Sequence, residues 1–126
     1  MTAKKDPGIV SVWAGHFDDD DSLLSYVEKY YPDDDQLSTS RFLQDIPVGL
    51  YDEDFAEASF FDPENMEDTI DQHSYGRSFS IKLLEDMRHL SSDTNSLYLI
   101  YDINASNMGP TSGPLRFVGT YSYTKQ

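Results

Sequence analysis

No cysteine occurs among the 126 residues. That excludes disulfides, thiolate nucleophiles and cysteine-type zinc centres, and it fits a reducing compartment. Basic residues are scarce: nine Lys and Arg stand against 23 Asp and Glu, for a net charge of −14. With so few cations, contacts to phosphates would have to overcome the chain's own field, so direct binding of nucleic acid or of an anionic membrane surface is excluded as a function class. Long apolar runs are missing too. No stretch approaches the roughly 20 apolar residues of a membrane span, and the run of about 7–15 apolar residues that a secretory signal requires does not follow Lys4 and Lys5. The expectation is a cytoplasmic protein with no membrane association.

What the chain does have is aromatic residues and placed charge. Nine Tyr, seven Phe and one Trp are more than a disordered acidic chain carries. Each ring removes about 150–250 Å² from water when buried. The length fits one folded domain over residues 1–126, with 1–8 expected to be a flexible lead. Residues 1–72 hold nineteen acids and four bases, a net −15, whereas residues 73–126 net +1. A field this lopsided attracts basic proteins and peptides.

Residues 9–17, β-branched and aromatic behind Pro7-Gly8, predict a buried strand. Asp18-Asp19-Asp20-Asp21 suits a helix start. Leu23, Val27 and Tyr30 recur at helical spacing, and Pro32 is expected to stop that helix. Ser38 or Ser40 is expected to cap a short helix carrying Phe42, Leu43 and Ile46. Residues 50–61 read as an acidic turn into a short strand, and Asp62-Pro63-Glu64 opens a short helix with Met66 and Ile70. Phe79, Leu83, Met87 and Leu90 mark a further helix. Residues 97–103 and 115–123 are strand-like and flank a loop rich in Asn, Ser, Gly and Pro, which predicts a C-terminal antiparallel hairpin. Leu115, Phe117, Tyr121 and Tyr123 alternate onto one face of it. The summed expectation is an α+β domain: a small antiparallel sheet, made of the N-terminal strand and the C-terminal hairpin, with helices packed on one face.

Few residue patterns in the chain point to chemistry. Glu85, Asp86 and His89 share a helical face but lack converging partners for a metal. Asp18, Asp20 and Ser22 begin a calcium-loop spacing, but Leu23 stands at the glycine position, and Asp33 and Asp35 fail likewise at Leu37. The adjacent acids Asp52, Glu53 and Asp54 lack the apolar surroundings of a catalytic carboxylate. Ser59 lacks the glycines of a nucleophile elbow. No catalytic residue, metal or cofactor is assigned.

Five segments resemble a known family. They are Val12-Trp13-Ala14-Gly15-His16-Phe17; Tyr51-Asp52-Glu53-Asp54-Phe55-Ala56-Glu57-Ala58; Ser74-Tyr75-Gly76-Arg77-Ser78-Phe79; Asn95-Ser96-Leu97-Tyr98-Leu99-Ile100-Tyr101; and Phe117-Val118-Gly119-Thr120-Tyr121. Their order and spacing are similar to the immunity protein 22 family of bacterial polymorphic toxin systems, over roughly residues 9–123. The resemblance implies a non-enzymatic antidote that binds a cognate toxin domain directly and blocks it, with no family catalytic residues to carry over. Acidity suits occlusion of a basic, nuclease-type cleft. Tyr51, Asp52, Glu53, Asp54, Phe55 and Glu57 combine acids with aromatics and are the expected contact site. Asp18, Asp19, Asp20, Asp33, Asp34 and Asp35 form a secondary acidic patch. The alternative is an acidic DNA mimic that inhibits a DNA-binding enzyme.

Overall fold

The computed structural model describes residues 3–31, 38–49, 51–90, 92–108 and 112–124. Four strands form one antiparallel sheet: β1 (Lys4–Gly15), β2 (Ala56–Phe60), β3 (Ser96–Asn104) and β4 (Leu115–Ser122). Their spatial order is β2-β3-β1-β4. Four α-helices lie between them: α1 (Asp20–Val27), α2 (Arg41–Asp45), α3 (Met66–Gln72) and α4 (Ser80–Met87). The α+β class stands. The strand begins at Lys4, so most of the stretch expected to be flexible is strand.

Two details differ from expectation. The C-terminal strands do not form a hairpin. β1 inserts between them, pairing Val12 with Leu99 of β3 on one side and with Gly119 of β4 on the other. The helices also pack on both faces. Val10, Val12, Ala14, Leu97, Leu99 and Tyr101 meet Ile70, Phe79, Leu83 and Met87 of the α3–α4 side. On the opposite face Trp13, Tyr98 and Ile100 meet Leu23, Tyr26, Val27, Phe42 and Ile46 of the α1–α2 side. The physical reason is visible in the strands themselves. Val10–Ala14 and Leu97–Tyr101 are buried without interruption, and an unbroken buried run marks a strand covered on both sides. Covering both faces of a central strand leaves no place for a solvent-facing sheet surface there.

β4 also breaks its expected alternation. The register moves from Val12↔Gly119 to Trp13↔Phe117, which leaves Val118 as an extra residue. A one-residue bulge moves every later side chain to the other face. Leu115 therefore joins the core beside Trp13, whereas Tyr121 and Tyr123 join the α3–α4 core.

Helix α1 stops at Val27, short of Pro32. Glu28 is extended, and Tyr30 exchanges two backbone hydrogen bonds of 2.7 Å with Thr39. Tyr30 therefore leaves the apolar face it was expected to share and is exposed. Ser40 caps α2 by accepting from the Leu43 N–H at 3.0 Å. The Asp62 carboxylate accepts from the Glu64 N–H at 3.1 Å and starts the turn that leads into α3. Gly76 sits where an added Cβ would lie 2.0 Å from the Ile70 carbonyl oxygen, so only glycine allows α3 and α4 to be joined this tightly.

Candidate functional site

The acidic segment 52–55 is a short 3-10 turn leading into β2. The Asp52 carboxylate accepts from the Asp54 N–H at 2.9 Å, the Phe55 N–H donates to the Asp52 carbonyl at 2.9 Å, and the Ala56 N–H donates to the Glu53 carbonyl. Asp52 thus spends its side chain on fixing the turn. Glu53, Asp54 and Phe55 are left projecting, and Phe55 keeps 55% of its surface exposed. Among the described residues no Lys or Arg forms an ion pair with Glu53 or Asp54.

The two flanking members of the expected site point elsewhere. Tyr51 is buried against Phe42, and its hydroxyl lies 2.7 Å from that of Tyr98. Burial first, then the nearby Glu53 charge, push the Tyr51 hydroxyl above its ordinary range despite bonds that oppose this. Lys29 covers the same ring at 4.0 Å and donates to the Tyr51 carbonyl at 2.5 Å. One of the four bases in the acidic half is therefore held down at the root of the turn. The carboxylate oxygens of Glu57 collect four hydrogen bonds, from His73 Nδ1 at 3.0 Å, the Ser74 N–H at 3.0 Å, Ser74 Oγ at 2.7 Å and Tyr101 Oη at 2.9 Å. Burial alone would raise its pKa. The donors outweigh burial and hold it at about 2. Of the six expected residues, four form one exposed ridge, and Tyr51 and Glu57 anchor it on opposite faces of the sheet.

The ridge borders two concavities. Asp52 and Phe55 line a pocket of about 470 Å³ together with Lys5, Pro7, Tyr101 and Asp102. Glu53 lines a more open groove of about 770 Å³ between α1 and β2. Its floor is apolar, made by Leu24, Val27, Ala56, Ala58 and Tyr98, and its rim carries Asp21, Glu28 and Glu53. The alternation Ala56-Glu57-Ala58-Ser59 explains this placement. Strand period sends the two small residues to the groove and the two polar ones to the α3 face.

On that other face Glu57 and Ser59 bracket His73. Ser59 Oγ lies 2.6 Å from His73 Nε2, while Nδ1 faces Glu57. A carboxylate only accepts, so Nδ1 carries the proton in this contact. The connectivity is that of a serine–histidine–carboxylate relay, and it ties the C-terminal cap of α3 to the edge strand. Tyr101 extends it by sharing its one hydroxyl proton between Glu57 and the Ser74 carbonyl, 2.6 Å away; Tyr75 stacks on Tyr123, and both meet Tyr101 at near-right angles. No role for His73 follows from the sequence pattern, so this network is not anticipated there. Its only local signal is the spacing of Glu57 and Ser59 on one strand face.

The secondary patch divides. Asp19 is the N-cap of α1, accepting from the Ser22 N–H at 2.7 Å, and the Ser22 hydroxyl first, then this backbone bond, lower its pKa. Asp18 and Asp20 beside it are exposed. Asp33, Asp34 and Asp35 lie outside the described residues. Asp86 accepts from Tyr121 Oη at 2.5 Å, so it serves the α4–β4 contact. No three His, Asp or Glu side chains among the described residues are placed to hold a metal.

The molecule is thus a small acidic α+β domain that carries an exposed ridge of acids and one phenylalanine at the edge of its sheet. The family model for Immunity protein 22 matches residues 10–124, and the chain belongs to that family. No curated protein and no solved structure gives a significant match. No helix among the described residues is long and apolar enough to cross a membrane.

Proposed function

We propose that this protein neutralises a cognate bacterial toxin in the cytoplasm by direct, stoichiometric binding, without catalysis, and that the ridge Asp52–Phe55 faces a basic cleft of the toxin. The family supplies the immunity role. The observation that supports the site is the turn itself: its hydrogen bonds hold Glu53, Asp54 and Phe55 outward, with neither acid paired to a cation among the described residues. Preorganised acids beside an exposed ring combine long-range attraction with a desolvated anchor. Glu57 acts beneath the surface as the support of the ridge.

The test is binding and inhibition of the toxin domain encoded in the adjacent reading frame. Triple reversal of Asp52, Glu53 and Asp54 to Lys should lower the association rate at least tenfold at low salt, with a smaller effect at high salt. Unchanged affinity and on-rate with an intact fold removes the ridge from the interface. Competition with DNA for several unrelated DNA-binding proteins would instead favour mimicry. A reproducible hydrolytic turnover lost in Ser59→Ala would overturn the non-catalytic reading.

A further inference from the structure

β2 is an edge strand, and among the described residues no strand pairs with its outer side, beside the apolar groove. The Phe61 N–H donates to the Asn95 carbonyl at 2.8 Å, on the β3 side. Backbone direction alternates along a strand. Ser59 and Glu57 therefore also turn their backbone groups toward β3, in register with Leu97 and Leu99. Ala56, Ala58 and Phe60 turn theirs outward. The Ala56 N–H is taken by Glu53. That leaves the N–H and C=O of Ala58 and Phe60 and the C=O of Ala56 facing away from the sheet, with no partner strand on that side among the described residues.

The side chains at these positions are what an added strand needs. Ala56 and Ala58 are small and leave the groove open above Tyr98. Leu24 on α1 overhangs it with 47% of its surface exposed, a large apolar side chain at a groove wall. Phe55 and Phe60, 55% and 37% exposed, mark the two ends of the strand. Such open edges are ordinarily protected by lysine, proline or a covering element, because they recruit other strands. β2 carries neither lysine nor proline. The rim of the groove is acidic through Asp21, Glu28 and Glu53, with no base among its lining residues.

From these observations we infer that the toxin docks by strand addition. An extended segment of the toxin pairs antiparallel or parallel with Ala56–Phe60 and places an apolar side chain in the α1–β2 groove. Its Lys or Arg side chains meet Asp21, Glu28 and Glu53. The inference rests on the neutralisation reading and adds its recognition mode: main-chain pairing supplies affinity, and the groove and its rim supply selectivity. The ridge attracts the partner, and the edge holds it.

Amide hydrogen exchange on the complex with the neighbouring toxin domain tests this. The Ala58 and Phe60 amides should slow at least tenfold on binding. Ala58→Pro removes an outward N–H while sparing the β3 ladder, a substitution edge strands accept. It should raise Kd at least tenfold through faster dissociation. Leu24→Glu, which blocks the groove from α1 and leaves β2 untouched, should do likewise, so a folding defect in one variant does not decide the matter. Toxin that binds without protecting those two amides, or binds Leu24→Glu at wild-type affinity, overturns strand addition and leaves neutralisation standing. Absence of any toxin binding overturns both.

Discussion

Glu57 shows how one carboxylate can be removed from a charged surface and made structural. Its pKa of about 2 lies below its ordinary value of 4.5. A depressed folded value means that the ionised form stabilises the fold. That contribution is complete above about pH 4.5 and is lost as pH falls toward 2. Glu57→Gln should therefore lower stability at pH 7 by about 1–2 kcal/mol, a figure kept small because a third of the side chain reaches solvent. Urea unfolding at pH 7 and pH 2.5 checks it, since the gap between variant and wild type should shrink at the lower pH. Gly76 is the second decisive residue. Gly76→Ala drives a Cβ into the Ile70 carbonyl and should cost about 3 kcal/mol by the same assay, with the loss independent of pH.

Among the elements, those with strong local punctuation were legible. Asp19 before α1, Ser40 before α2 and Asp62 before the α3 turn each cap where a short polar side chain precedes an apolar stretch. Asp19→Ala should accordingly lower the melting temperature in thermal unfolding, because the Ser22 N–H loses its cap. It should also loosen the α1 wall of the groove. Tertiary choices were not legible. The Tyr30–Thr39 bridge ends α1 early because two backbone bonds to a distant segment outweigh a helical continuation that leaves Tyr30 and Tyr31 in water. The Val118 bulge has no sequence mark, yet it reassigns Tyr121 and Tyr123 to the other face. For the site, the exposed ridge could be read from its acids and phenylalanine. The inward turn of Tyr51 and Glu57 could not, because it depends on Tyr98 and His73, 47 and 16 residues away.

At the scale of the whole molecule the net charge of −14 acts in opposite directions on stability and on association. Self-repulsion within the acidic half is screened by salt, so the melting temperature should rise between 0.05 and 0.5 M NaCl, taken as roughly bracketing the ordinary Debye range. Toxin association should slow over the same interval. Calorimetry and stopped-flow mixing on one sample series read both signs. The position of β1 bears on how the protein is made. β1 is synthesised before its partners β3 and β4, whose pairings with it span 81 residues or more, from 81 between Gly15 and Ser96 to 104 between Trp13 and Phe117 and beyond. At about 5–20 residues per second it waits roughly 5–20 s for β4 with its apolar run uncovered. Closure of the sheet is thereby deferred until Leu115–Ser122 has been synthesised, and long-range pairing of this kind is slow. A chain under construction, or one cut short before Leu115, therefore lacks the strand that covers one side of the central β1.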